Sequence, residues 1–200
     1  MKILVACEES QAGTIELRKL GHEAYSCDIL NCSGGHPEWH IKGDAIKEDY
    51  SGKYDMMIAH PPCTYISNAG ARFLYPNKIL NIERLKKGFE GKTLFMALFN
   101  APINKICIEN PLPSKVFKMP KYSQVIQPYE YGHPYKKRTQ LWLKNLLLLK
   151  PTDIINIAES TKIAGNWFNK GGKERQKNRS KTFPGIAKAM ATQWAGQCDK

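Results

Sequence analysis

Apolar residues in this chain fall into short unbroken runs, and the runs alternate with stretches of helical spacing. Residues 1–7 (MKILVAC) form an apolar run closed by two glutamates, the pattern of a strand buried on both faces. Residues 14–21 (TIELRKLG) put Ile15, Leu17 and Leu20 on one side of a short helix, with Gly21 as its C-terminal cap. Residues 23–30 (EAYSCDIL) and 55–59 (DMMIA) predict further strands, and residues 79–99 a long helix ending near Asn100. Residues 105–109 (KICIE) predict a buried strand stopped by Asn110 and Pro111, and 124–128 and 139–143 (TQLWL) two more. Ile186, Met190 and Trp194 recur at helical spacing near the end, so the chain returns to pack on the domain. Strands alternating with helices predict one α/β domain, a mostly parallel sheet with helices on both faces.

In such a sheet, ligands bind beyond the carboxyl ends of the strands, near the point where strand order reverses. Four polar segments directly follow predicted strands: Glu8-Glu9-Ser10, Asp28, His60-Pro61-Pro62-Cys63 and Glu109-Asn110-Pro111. They are expected to converge on one edge. Asp28 stands where an acidic residue commonly bonds ribose hydroxyls, and an ordinary strand-end role is the alternative. The first loop holds Gly13 alone and two glutamates, which would repel a pyrophosphate, so a ribose ligand without phosphates, such as S-adenosylmethionine, suits it better. Asp44 ends a third possible strand, either as an adenine contact or as a turn residue. Cys63 sits in a turn whose two prolines lock φ, which fixes the direction of the thiol. Its alternatives are a nucleophile, which requires a lowered thiol pKa, and an inert half-buried cysteine. Glu109, ending a neighbouring strand, favours the first. A thiol beside a carboxylate suits addition to an electron-poor ring, sulfur attacking carbon while the acid protonates ring nitrogen.

Composition adds a partner. Thirty basic against 18 acidic residues give a formal charge of +12, which points to a polyanion, nucleic acid before membrane surface. The 42% hydrophobic content excludes wholesale disorder, and no apolar run is long enough to span a membrane. Six cysteines without an export signal are expected to be reduced thiols in a cytoplasm. The character of the chain changes near residue 150, and residues 170–181 (KGGKERQKNRSK) are either a solvated loop or a phosphate-binding run. Cys27, Cys32, His36 and His40 have a spacing compatible with zinc, but Pro37 between the histidines and Asp28 beside Cys27 weigh against a metal site. Cys107 reads as core and Cys198 as tail.

The Cys and Glu segments resemble the DNA cytosine 5-methyltransferases, more closely the small versions encoded by bacteriophages. The family's PCQxFSxxG segment matches residues 62–70 (PCTYISNAG), with Thr64 in place of Gln. Its ENV segment matches Glu109-Asn110-Pro111, and its GD pair matches Gly43-Asp44. Its YGxPQxRxR segment matches Tyr131-Gly132-His133-Pro134, after which Lys137 and Thr139 replace two arginines, with Lys136 and Arg138 adjacent. Residues 182–187 (TFPGIA) are similar to the start of its closing helix. The family's DxFxGxGG loop is replaced here by residues 7–13 (CEESQAG), and its large target-recognition region is reduced to residues 144–179.

The resemblance implies a Rossmann-like S-adenosylmethionine-dependent methyltransferase fold over residues 1–200, with 144–179 a basic recognition segment and 182–195 a closing helix. It implies methyl transfer to carbon 5 of cytosine, flipped out of duplex DNA. Cys63, Glu109 and Lys137 would be catalytic, and Cys7, Glu8, Asp28, Asp44 and Pro61 would hold the cofactor. Ser67, Lys136, Arg138, Lys173, Arg175, Lys177, Arg179 and Lys181 would contact DNA. The same chemistry on a nucleotide or RNA, and a cofactor-less nucleic-acid-binding scaffold, stand as alternatives. Target sequence and oligomeric state are not legible.

Overall fold

A computed structural model describes residues 1–156 and 181–197. Seven strands, β1 (Lys2–Ala6), β2 (Glu23–Asp28), β3 (His40–Lys42), β4 (Met56–Ala59), β5 (Lys105–Pro111), β6 (Gln124–Ile126) and β7 (Thr139–Lys144), form one sheet. Their order is β3-β2-β1-β4-β5-β7-β6. Neighbours from β3 to β5 pair in parallel, and β7 alone runs antiparallel, between β5 and β6. This is the mostly parallel, Rossmann-like α/β sheet expected from the sequence, with one reversed strand.

The period-two alternation of strands built of apolar residues sends consecutive side chains to two cores. Ile3, Val5, Met56, Ile58, Cys107 and Leu141 face α1 (Ala12–Lys19) and α5 (Pro184–Met190). Leu4, Ala6, Met57, Ala59, Ile106, Ile108 and Trp142 face α2 (Ala45–Asp49) and α4 (Ile82–Phe99). A short α3 (Asn68–Ala71) follows β4, and Ile66, Leu74 and Phe117 make a satellite core beneath it. In α4, Gly88 leaves room for the Phe117 ring, which a Cβ would meet at 2.2 Å.

The long helix begins three residues later than its apolar pattern predicts. Asn81 caps it by accepting from the Arg84 N–H, and Ile79 is left in extended backbone, 71% exposed. The predicted closing helix is α5 followed by a wide π turn over Ala191–Ala195 that carries Trp194 into the core. Among the described residues, no helix is long and apolar enough to cross a membrane.

Candidate active site

Because β2, β1, β4 and β5 are parallel neighbours, their carboxyl ends share an edge, and the four polar segments singled out in the sequence all lie there. The β4 and β5 ends are bound directly to each other. The Asn110 side-chain amide donates to the Pro61 carbonyl at 2.8 Å, which ties the Pro-Pro-Cys turn to β5. His60 Nδ1 lies 3.1 Å from Glu109 Oε2, with both side chains nearly buried. The turn is closed by Ser67 N–H donating to the Cys63 carbonyl, and Asn68 and Ser114 sew the loop to the segment after β5. From α4, Arg84 donates to the Thr64 carbonyl at 2.9 Å and lies over the Tyr65 ring. The Cys63 thiol is thereby carried on a backbone fixed from three sides.

Burial would push the Glu109 carboxyl up, but it lies below the usual carboxylate range. The His60 hydrogen bond, the Lys137 charge and the Thr139 hydroxyl outweigh the desolvation. Lys137 is half-buried and its ammonium is 5.8 Å from the Phe183 ring centre, while Lys136 and Arg138 are exposed on either side of it. Thr182, just before α5, brings its hydroxyl to 3.4 Å from His60 Nδ1. The Tyr131–Pro134 loop meets α5 at Gly185, whose N–H donates to His133 Nε2 at 2.8 Å and whose missing Cβ makes room for the Tyr131 carbonyl. That imidazole nitrogen must be unprotonated to accept, and burial lowers the His133 pKa accordingly.

The β1 and β2 ends are organised by a different device. Cys7 and Gln11 take left-handed backbone (φ 57° and 60°), a region that favours glycine. Between them Glu8 turns inward. Its carboxylate accepts from Gly13 N at 2.7 Å, from Thr14 N at 3.3 Å and from the Thr14 hydroxyl at 2.8 Å, which satisfies the start of α1. Gln11, also buried, clasps the backbone of His36 with both ends of its amide. The Cys7 thiol is pushed up to about 12 by burial and by the Asp28 carboxylate. Asp28 accepts from Leu30 N through Oδ1, and Asp44 caps α2 by accepting from Ile46 N.

The structure thus brings Cys63, Glu109, Lys137 and Pro61 together and gathers Cys7, Glu8 and Asp28 at the adjoining strand ends. Ser67, expected on the DNA side, is buried, and its hydroxyl accepts from Gly70 N to cap α3. Lys181 is half-buried, and Lys173, Arg175, Lys177 and Arg179 lie outside the described residues. The zinc spacing is taken apart: His40 binds Ser26 and the Leu30 carbonyl, and His36 stacks on Trp39. Among the described residues no group of three or more metal-ligating side chains comes together. The sequence offered His60 as a residue orienting Cys63 or donating to backbone, and not as a partner of Glu109. The rule that polar residues ending adjacent parallel strands converge would have paired it with Glu109.

No protein-family model matches the chain, and no curated protein matches it. Among solved structures, a crystal structure from E. coli described as a DNA modification methyltransferase encoded within a prophage aligns with 78% of this chain and 52% of its own, at 13% identity and a TM-score of 0.46. The chain therefore spans about half the length of that protein. The assignment of the fold rests on the strand order and the single reversed strand of this sheet.

Proposed function

We propose that this chain transfers a methyl group from S-adenosylmethionine to carbon 5 of cytosine in DNA. The observation that supports this most is the clamp between the β4 and β5 ends, where Asn110 holds the turn that carries Cys63 and His60 meets the Glu109 carboxylate. In this reading the Cys63 thiolate bonds to ring carbon 6, and Glu109 stabilises the ring protonated at nitrogen 3. Carbon 5 becomes nucleophilic and takes the methyl group. Loss of its proton and release of Cys63 then restore the aromatic ring. Lys137 adds positive charge beside Glu109, and Lys136 and Arg138 offer exposed cations to the phosphates.

S-adenosylmethionine supplies the electrophilic methyl group. The residues at the β1 and β2 ends fit it. Glu8 is turned away into α1, so its charge is neutralised by helix N–H groups and not presented to a ligand. Asp28 uses only Oδ1 among its bonds with described residues, which leaves Oδ2 for ribose hydroxyls, and exposed Ile29 and Leu30 offer apolar surface to an adenine ring.

The test is mass spectrometry of nucleosides after incubation of duplex DNA with the protein and labelled S-adenosylmethionine. Labelled 5-methylcytosine is expected. Label on free dCMP with none on DNA would overturn the substrate, and absence of heat on titrating S-adenosylmethionine would overturn the enzyme in favour of a binding scaffold.

A further inference from the structure

The proposed chemistry gives no task to His60, yet this side chain is built firmly into the site. It leaves the end of β4, its backbone N–H bonds the Ala6 carbonyl at 2.9 Å, and its ring is nearly buried. Its Nδ1 meets two partners, Glu109 Oε2 at 3.1 Å and the Thr182 hydroxyl at 3.4 Å, which come from β5 and from the segment entering α5. We propose that His60 is a positioning residue of this site, its Nδ1–H holding the Glu109 carboxylate in place for the substrate ring. The proposal rests on the function proposed above.

A carboxylate at a strand end next to a loop is free to rotate, and a misplacement of about 1 Å at a reacting centre can cost about 10²-fold in rate. The 3.1 Å contact removes that freedom for Glu109 from the β4 side. The neighbouring Asn110–Pro61 bond repeats the tie one residue along each strand, so the two strand ends are coupled by a pair of contacts. The Nδ1–H tautomer is the one that can donate to Glu109, and the Thr182 hydroxyl at the same nitrogen then serves as a second acceptor.

The groups facing Glu109 are His60 just after β4, Lys137 before β7, Thr139 at its start, and the buried Cys107 on β5 itself. His60 and Lys137 both favour its ionised form. Removing the imidazole therefore raises the pH at which Glu109 ionises.

The experiment uses His60→Ala and His60→Asn in the full chain, with two readouts. Infrared titration of the Glu109 carboxylate band, assigned by its loss in Glu109→Gln, needs no substrate. Methyl-transfer kinetics supply kcat, KM for DNA and S-adenosylmethionine affinity. His60→Ala is expected to move the carboxylate titration to higher pH and to lower kcat by about 10²-fold, with cofactor affinity unchanged. His60→Asn, which keeps a donor near the position of Nδ1, is expected to regain much of kcat without restoring the native pH profile. An unmoved Glu109 band in both variants would overturn the proposal, as would His60→Asn failing as completely as His60→Ala while melting like the native protein. If native protein methylates no cytosine, the functional reading fails, and the infrared titration still decides whether His60 holds Glu109. Should His60→Ala not fold, His60→Asn carries both readouts.

Discussion

The two halves of the carboxyl edge reach rigidity by different routes. At the β4 and β5 ends, side chains from separate strands grip each other: Asn110 holds Pro61, His60 holds Glu109, and Arg84 holds the loop from α4. At the β1 and β2 ends the loops fold onto themselves, Glu8 onto its own helix and Gln11 onto the backbone of His36. Crosslinks between strands keep functional groups at fixed mutual distances, which bond-making chemistry requires. A self-capped loop keeps its shape but leaves its neighbours independent, which suffices for holding a ligand. Changes on the first side should therefore appear in rate, and changes on the second in affinity.

The largest effect is expected from Cys63→Ser, which should abolish methyl transfer, because a hydroxyl is a far poorer nucleophile at neutral pH. A 5-fluorocytosine substrate should trap a covalent adduct on native protein alone. Measurable turnover by the variant would remove the thiol from the chemistry. Glu109→Gln should cost on the order of 10²-fold or more in kcat, with S-adenosylmethionine affinity held within a few-fold by calorimetry. Collapse of that affinity would erase the division between the two halves.

On the other side, Glu8→Gln should weaken the cofactor about 10-fold and lower the melting temperature, since charged hydrogen bonds of this kind contribute about 1.5–3 kcal/mol each. Its kcat at saturating cofactor should stay near native, and a fall in kcat would show that the first loop also acts in the chemistry. Asp28→Ala should likewise raise the cofactor dissociation constant and leave DNA binding intact.

The smallest effect contrasts two carboxyls in pH dependence. Asp49, in α2, is fully buried, and burial raises it to about 7, against the pull of nearby backbone N–H groups. The unfolded chain holds this proton less tightly, so the native state loses stability as pH rises from about 4 to about 7. Glu109, held below the ordinary range, stabilises the fold above that range and ceases to do so as pH falls through its lowered value. Asp49→Asn should accordingly raise the melting temperature by a few degrees at pH 8 and by less at pH 5. An equal gain at both pH values would mean that Asp49 is ionised in the native state throughout.

The strands were legible because residues such as Ile3–Val5, Met56–Ile58 and Ile106–Ile108 are apolar on both faces, and Pro111 and Gly21 mark ends that backbone geometry enforces. The shared edge followed from topology alone. What stayed hidden is whatever depends on direction or on contacts distant in sequence. The apolar pattern of β7 is the same forwards and backwards, so its reversal left no sign. Glu8 reads as a ligand-facing acid until its partners at Gly13 and Thr14 are seen, because the cap it makes comes from outside the helix on a left-handed loop. Ser67 fits a substrate-contact motif and equally an N-terminal cap, and spacing does not separate the two.

The reversed strand also governs how this protein can change length. The chain passes the active edge before it enters β7, so Lys137 and Thr139 arrive at Glu109 on the way in, and Asn145 leaves at the far edge, bonded to Asn104. One residue inserted or deleted between Gly132 and Thr139 would shift Lys137 against Glu109 by up to about 3.5 Å. The same change between Lys144 and Leu149 starts a whole strand away and leaves the charge beside Glu109 untouched. Natural variation in length should therefore collect after β7, while the approach to it keeps a constant residue count.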